Sequence, residues 1–220
     1  MTVRPVFFLF TGVAALEAST RLGIFGGTFD PIHYGHLLLA EICRQELTLD
    51  AVRFVPAGNP PHKSGAITDG HARADMVALA VSGYREFTVD RREIQRDGPS
   101  FTVLTLHEIQ QENPDSELFF LMGADSLCDF PSWRDPAGIL ELSTVVAVNR
   151  PGTPLPRMER HGRAAECVDM TRIRQIAVPG MDISASDLRN RMRGGRGVRF
   201  LTPRAVEAFL TEHNLYVESS

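Results

Sequence analysis

An α/β fold with a parallel sheet is what this chain predicts, on two observations. Apolar runs of strand length alternate with longer segments of helical period, and no linker is long enough to part the chain into two domains. The elements follow in order. RLGIF, residues 21–25, reads as the first strand and HLLLAEICRQEL, 36–47, as the first helix. VRFVPA, 52–57, is the second strand, and HARADMVALAVS a helix ahead of a short strand FTVD that begins at Phe87. SFTVLTLHEIQQE, 100–112, has helical spacing with Ser100 as its N-cap candidate. Residues 118–122 form the clearest buried strand and a helix starts over 123–125. DPAGILEL is a short helix leading to the strand STVVAVN, which ends at Asn149. The proline- and arginine-rich stretch after it reads as surface loop. A last strand near 174–178 precedes two helices, SASDLRNRMR and TPRAVEAFLTEH.

Length and composition bound the function. The 220 residues, 43% apolar and 23% charged, describe an ordinary globular protein with chain enough for a real core. A net charge of −4 excludes a globally basic surface, so neither nucleic acid nor an anionic membrane is an expected partner. Three separated cysteines without a CxxC pair indicate neither a disulfide framework nor a zinc knuckle, and a cytoplasmic location is expected. The apolar run VFFLFTGVAAL after Arg4 has the length of a signal-peptide core and is too short to span a bilayer. Residues 1–20 are expected to be an N-terminal extension outside the fold, and residues 21–220 one domain.

The strongest motif is GIFGGTFDPIHYGHLLLAE, where a strand runs into a glycine pair and two histidines three apart before a helix begins. Gly26 and Gly27 carry no Cβ and admit a phosphate to the backbone, while the helix start near Gly35 offers free N–H groups and the positive end of a dipole. His33 and His36 stand at that mouth, where imidazoles stabilise charge during phosphoryl or nucleotidyl transfer. Alone, a Gly-Gly turn is common, and the segment is neither a GxGxxG fingerprint nor a Walker-A loop. The histidine pair could hold a metal, but no third ligand follows at helical spacing and no HExxH is present. A second motif is ISASDLRNRMRGGRGVRFLTPR, where six arginines stand against Asp187, a local +5 in a chain of −4. It is either a polyanion site or a solvated face; Ser184 and Ser186 could cap its helix or touch a phosphate, with Arg189 facing the same mouth.

GGTFDPIHYGH together with ISASDLR resembles the nucleotidylyltransferase superfamily, and NPPHK, PSFTVLTL, FFLMGADSL and FPSWRDP resemble the bacterial nicotinate-nucleotide adenylyltransferases within it. The resemblance spans about residues 22–217. Departures are Ser186 where the pattern often has threonine, the acid Asp187, which should point away from ATP, and the extension, which has no counterpart. The resemblance implies a three-layer Rossmann-like nucleotidyltransferase fold. It also implies adenylyl transfer from ATP, accompanied by Mg²⁺, to nicotinate mononucleotide, giving nicotinate adenine dinucleotide and pyrophosphate. His33, His36 and Arg189 would be catalytic, with His36 at the reacting α-phosphate. Gly26, Gly27, Thr28, Phe29, Asp125, Ser184 and Ser186 would bind ATP, Asp125 through a ribose hydroxyl. Trp133, the only tryptophan, would stack on the pyridine ring; Thr102 with nearby amides would meet the carboxylate, and His62 and Lys63 would sit on a loop near the phosphates. Lys63 is the only lysine beside 22 arginines, which suggests a need for a compact ammonium there. No metal is assigned to protein side chains, and assembly as a homo-oligomer stays open. The alternatives are an adenylyltransferase for nicotinamide mononucleotide or another phosphate acceptor, and more distantly a non-catalytic nucleotide-binding module. PPHK and SWRD disfavour a phosphopantetheine acceptor, and retention of His33, His36 and Arg189 disfavours the module.

Overall fold

Among the described residues, β1 (Arg21–Gly27), β2 (Ala51–Pro56), β3 (Phe87–Val89), β4 (Glu117–Gly123), β5 (Thr144–Asn149) and β6 (Arg174–Ala177) form one sheet. The order is β3-β2-β1-β4-β5-β6 and every pairing is parallel. The structure is a computed structural model and describes residues 20–60, 67–149 and 172–217. The connections carry α1 (Tyr34–Glu46), α2 (Gly70–Val81), α3 (Arg92–Gln95), α4 (Thr102–Glu112), α5 (Ala124–Leu127), a 3-10 turn at Phe130–Ser132, and α6 (Pro136–Leu142). After β6 come α7 (Ala185–Arg193) and α8 (Arg204–Glu212).

Strand periodicity explains the three layers. In β4, Phe119 and Leu121 join one buried cluster while Leu118, Phe120 and Met122 join the other; β5 divides Val146 and Val148 from Val145 and Ala147 in the same way. Successive side chains point to opposite faces, so a continuous apolar run marks a strand covered on both sides. One face is covered by α1, α2 and the C-terminal helices, the other by α4 and α6. A buried phenylalanine or leucine contributes roughly 1.5–3 kcal/mol, whereas an exposed ion pair gives about 0–1. The sheet is therefore held by these two cores rather than by surface pairs such as Arg21–Glu117.

The chain leaves β1 toward β2 and β3, then crosses back to β4 and continues the other way. The loops after β1 and β4 part at that reversal, which opens a crevice at the carboxyl ends of the strands. Two local expectations are corrected. Gly26 and Gly27 still belong to β1, paired with Val55 and Pro56, rather than to a turn after it. A Cβ at Gly27 would lie 2.8 Å from the Phe29 ring, so this glycine is needed for packing beneath the loop. Ser100 does not cap α4, whose N-cap is Phe101; its hydroxyl instead accepts from the backbone N–H groups of Gly58 and Asn59, at 2.9 and 3.1 Å. The short α3 has no sequence signal of its own.

Candidate functional site

A cavity of about 670 Å³ lies over the crevice, within the size range of small-molecule sites. Gly26, Gly27, Thr28, Phe29, His33 and His36 line it from β1 and the mouth of α1. Ser184, Ser186 and Arg189 reach it from α7, more than 140 residues later in the chain, and Thr102 and Trp133 line it from the other layer. The two sequence motifs thus meet in one concave site.

His33 is 5% exposed and is the N-cap of α1. Its ring stacks on that of His36 with centroids 3.7 Å apart, and its backbone N–H donates to His36 Nδ1 at 3.2 Å. An Nδ1 that accepts leaves the proton of the neutral ring on Nε2, so His36 is set up as an Nε2–H donor. Burial, and then the neighbouring His33, hold the His36 pKa well below its ordinary value. The ring is enclosed by Phe25 and Phe29, the latter edge-on at 5.1 Å. Phe29 itself is 2% exposed, so its side chain serves as the floor under His36. A stability effect follows. Unfolded His36 takes up a proton near pH 6.5 and folded His36 only at lower pH, so acidification from about pH 6.5 favours the unfolded chain. Thermal melts from pH 8 to 5 should show stability falling below about 6.5, and His36→Asn should flatten that fall; an unchanged slope would assign it to other groups.

On α7, Ser184 Oγ caps the helix by accepting from the Asp187 N–H at 3.1 Å. Arg189 donates from Nη1 to the Asp30 carbonyl at 2.6 Å and from Nη2 to Ser186 Oγ at 3.2 Å. Of the six arginines in that segment, only Arg189 lines the cavity. Arg191 bonds the Gly197 carbonyl, Arg193 bonds Asn190, and Arg199 lies 3.8 Å from Glu207, so most of the local charge is a solvated face. Asp187 is exposed and outside the cavity lining, as the resemblance requires.

Trp133 follows the 3-10 turn and packs edge-on against Phe120 and Phe130, at 6.0 and 5.6 Å, while lining the cavity. Thr102 opens α4, whose first N–H groups have no carbonyl of their own helix to bond. Arg134, stacked over Phe101 at 4.8 Å, lines the cavity beside them. Asp125 is the second residue of α5, after the N-cap Gly123; its side chain, like His62 and Lys63 and residues 1–19, lies outside the described residues. Among the described residues, no three His, Cys, Asp or Glu side chains converge as a metal site, and no helix is long and apolar enough to cross a membrane.

Several residues that shape the site carry no motif. Arg73, 1% exposed, donates to the carbonyls of Thr28, Ala57 and Thr68 at 2.7, 2.6 and 2.8 Å, tying together the loops after β1 and β2. Burial lowers its pKa, and the charge of Asp30 opposes that. Glu93, also buried, accepts from Thr105 at 2.5 Å, and burial pushes its carboxyl up. Its carbonyl passes so close to Gly58 that a Cβ there would sit 2.0 Å away. Only a single arginine in a helical stretch and a lone acid marked these positions in the sequence, and neither pattern is distinctive.

Residues 24–191 match the family model described as cytidylyltransferase-like. A protein named "Probable nicotinate-nucleotide adenylyltransferase" from Thermomicrobium roseum is 43% identical over 198 residues, 90% of this chain and 92% of that one. One of the same name from Thermus thermophilus is 43% identical over 196 residues, covering 89% and 99%. Among solved structures, the Plasmodium falciparum nicotinic acid mononucleotide adenylyltransferase complexed with NaAD superposes with a TM-score of 0.68 at 18% identity, covering 90% of this chain and 97% of that one. At that identity the likeness speaks for the fold.

Proposed function

The chain belongs to the cytidylyltransferase-like family and, within it, to the nicotinate-nucleotide adenylyltransferases, and from that premise we propose how its own residues carry out adenylyl transfer. The enzyme joins ATP and nicotinate mononucleotide to give nicotinate adenine dinucleotide and pyrophosphate, a step in NAD biosynthesis. A phosphate oxygen of the mononucleotide attacks the α-phosphorus of ATP, and the bond from that phosphorus to the bridging oxygen breaks as pyrophosphate leaves. The nucleophile is already an anion at neutral pH, so no general base is needed. What remains is to bring two anions together and to stabilise the charge that develops.

The convergence of the histidine pair and Arg189 on one cavity is the observation that carries this account. His36, neutral with its proton on Nε2, donates to the α-phosphate, and His33 lines the same mouth. Thr28 and the backbone of Gly26 and Gly27 border the meeting point of the phosphates. Arg189, its fork anchored at Asp30 and Ser186, holds the β,γ-phosphates that depart. The Ser184 hydroxyl is used in capping, so its part is to set the start of α7. Across the cavity Trp133 stacks on the pyridine ring, and the first turn of α4 at Thr102 receives the carboxylate at the positive end of the helix. Asp125, His62 and Lys63 complete the set as proposals from the resemblance alone.

Mg²⁺ is proposed as the ion that travels with ATP. The donors around the phosphate mouth suit an anion rather than a resident cation, consistent with a magnesium held largely by substrate oxygens and water. Bound there, it would neutralise phosphate charge. Residues 21–220 are proposed to form one domain, working in the cytoplasm where ATP and the mononucleotide are available. The test is pyrophosphate release with ATP and Mg²⁺, offering nicotinate mononucleotide and nicotinamide mononucleotide in parallel. The acid is expected to react at least about tenfold faster. Equal rates, or preference for the amide, would overturn the acceptor assignment.

A further inference from the structure

We propose that Tyr216, in the tail after α8, is a positioning residue for Arg189 that acts through Asp30 and thereby sets the affinity for ATP. The proposal rests on the assignment of Arg189 to the β,γ-phosphates made above. Asp30 is 5% exposed and lines the cavity between β1 and α1. Its Oδ1 accepts a hydrogen bond from the Tyr216 hydroxyl, which in turn accepts from Thr68 Oγ1 at 3.1 Å. Its backbone carbonyl accepts from Arg189 Nη1 at 2.6 Å, and its Oδ2 lies 4.0 Å from the same nitrogen.

A carboxylate at this place is a rival to the substrate. It is an anion inside a polyphosphate site, within reach of the guanidinium that the phosphates need. Tied back on Tyr216, it leaves Arg189 bonded to a backbone carbonyl and a hydroxyl, with charge to spare for phosphate. Released, it would close the 4.0 Å gap and pair with Arg189 directly, because a desolvated carboxylate seeks its nearest cation. Tyr216 has φ +62° and Phe29, just before Asp30, has φ +49°, both in the left-handed region that costs a non-glycine residue about 1–2 kcal/mol. The Tyr216 ring also packs on the core, so removing its hydroxyl alone leaves the packing in place.

The experiment measures binding of a non-hydrolysable ATP analogue with Mg²⁺ by calorimetry, which needs no acceptor. Tyr216→Phe, with a melt to confirm folding, should weaken the analogue about fivefold, the scale of one net hydrogen bond. In an Arg189→Ala background the same change should have no further effect, and adding Asp30→Asn to Tyr216→Phe should restore affinity, because the rival charge is gone. A merely structural tyrosine would instead give effects that multiply in both backgrounds. Unchanged affinity in folded Tyr216→Phe, effects that multiply with Arg189→Ala, or no rescue by Asp30→Asn would each overturn the proposal. Wild-type turnover of ATP with nicotinate mononucleotide is read separately. Its absence would sink the adenylyl-transfer assignment while the binding cycle still decides the role of Tyr216.

Discussion

His36→Ala is expected to lower kcat by about 10²–10³, roughly 2.7–4 kcal/mol of transition-state stabilisation, with a much smaller change in KM for ATP. The size follows from the geometry. Nδ1 of His36 is occupied by the His33 backbone N–H, so its other nitrogen presents a fixed donor, and the ring cannot turn because Phe25, Phe29 and His33 enclose it. A donor held in advance needs no reorganisation as charge builds on the α-phosphate, which is why its loss should appear in kcat. Because burial and His33 keep the ring neutral, the wild-type rate should not depend on His36 protonation near pH 7. Steady-state pyrophosphate release across ATP concentrations checks both points. Activity of His36→Ala within a few-fold of wild type would remove His36 from the chemistry. A rise in KM with kcat intact would make it a ground-state binding group instead.

Arg73→Ala should destabilise the protein by about 3–5 kcal/mol, the cost of stripping a buried polar network of its central donor. Three carbonyls, those of Thr28, Ala57 and Thr68, would each lose a charge-assisted partner in a place with almost no access to water. At about 2–4 °C per kcal/mol for a chain of this size, the melting temperature should drop by roughly 6–20 °C. Arg73→Lys should recover only part of the loss, since an ammonium lacks the planar fork that spans carbonyls from three segments. Because Arg73 joins the loops after β1 and β2, ATP binding should weaken in whatever fraction stays folded. A melt within 2 or 3 °C of wild type would mean that water replaces the guanidinium at little cost.

Much of the architecture was legible in the chain itself. Short continuous apolar runs mark β4 and β5 as strands covered on both faces, and longer stretches of helical period fall on α1, α2 and α4. The catalytic candidates were legible for a different reason. His33, His36 and Arg189 lie in two short motifs whose residue types are dictated by phosphate chemistry, so their identity survives without knowledge of the fold.

What local pattern could not supply is reach. Ser100 reads as a helix cap and instead holds the loop after β2, because its nearest free donors come from residues more than 40 positions earlier. The six arginines from 189 to 204 look alike in sequence, yet the pitch and placement of α7 send only Arg189 into the cavity. Asp30, Arg73 and Tyr216 stand in no distinctive pattern along the chain, and become one network only when the sheet order brings the loop after β1 beneath α7 and the C-terminus. The sequence by itself therefore determined the fold class, the alternation of its elements and the residues suited to meet phosphate. Tertiary structure alone decided which of several equivalent side chains meet, because hydrogen bonds and charge pairing act across a few ångströms of space, whatever the separation along the chain.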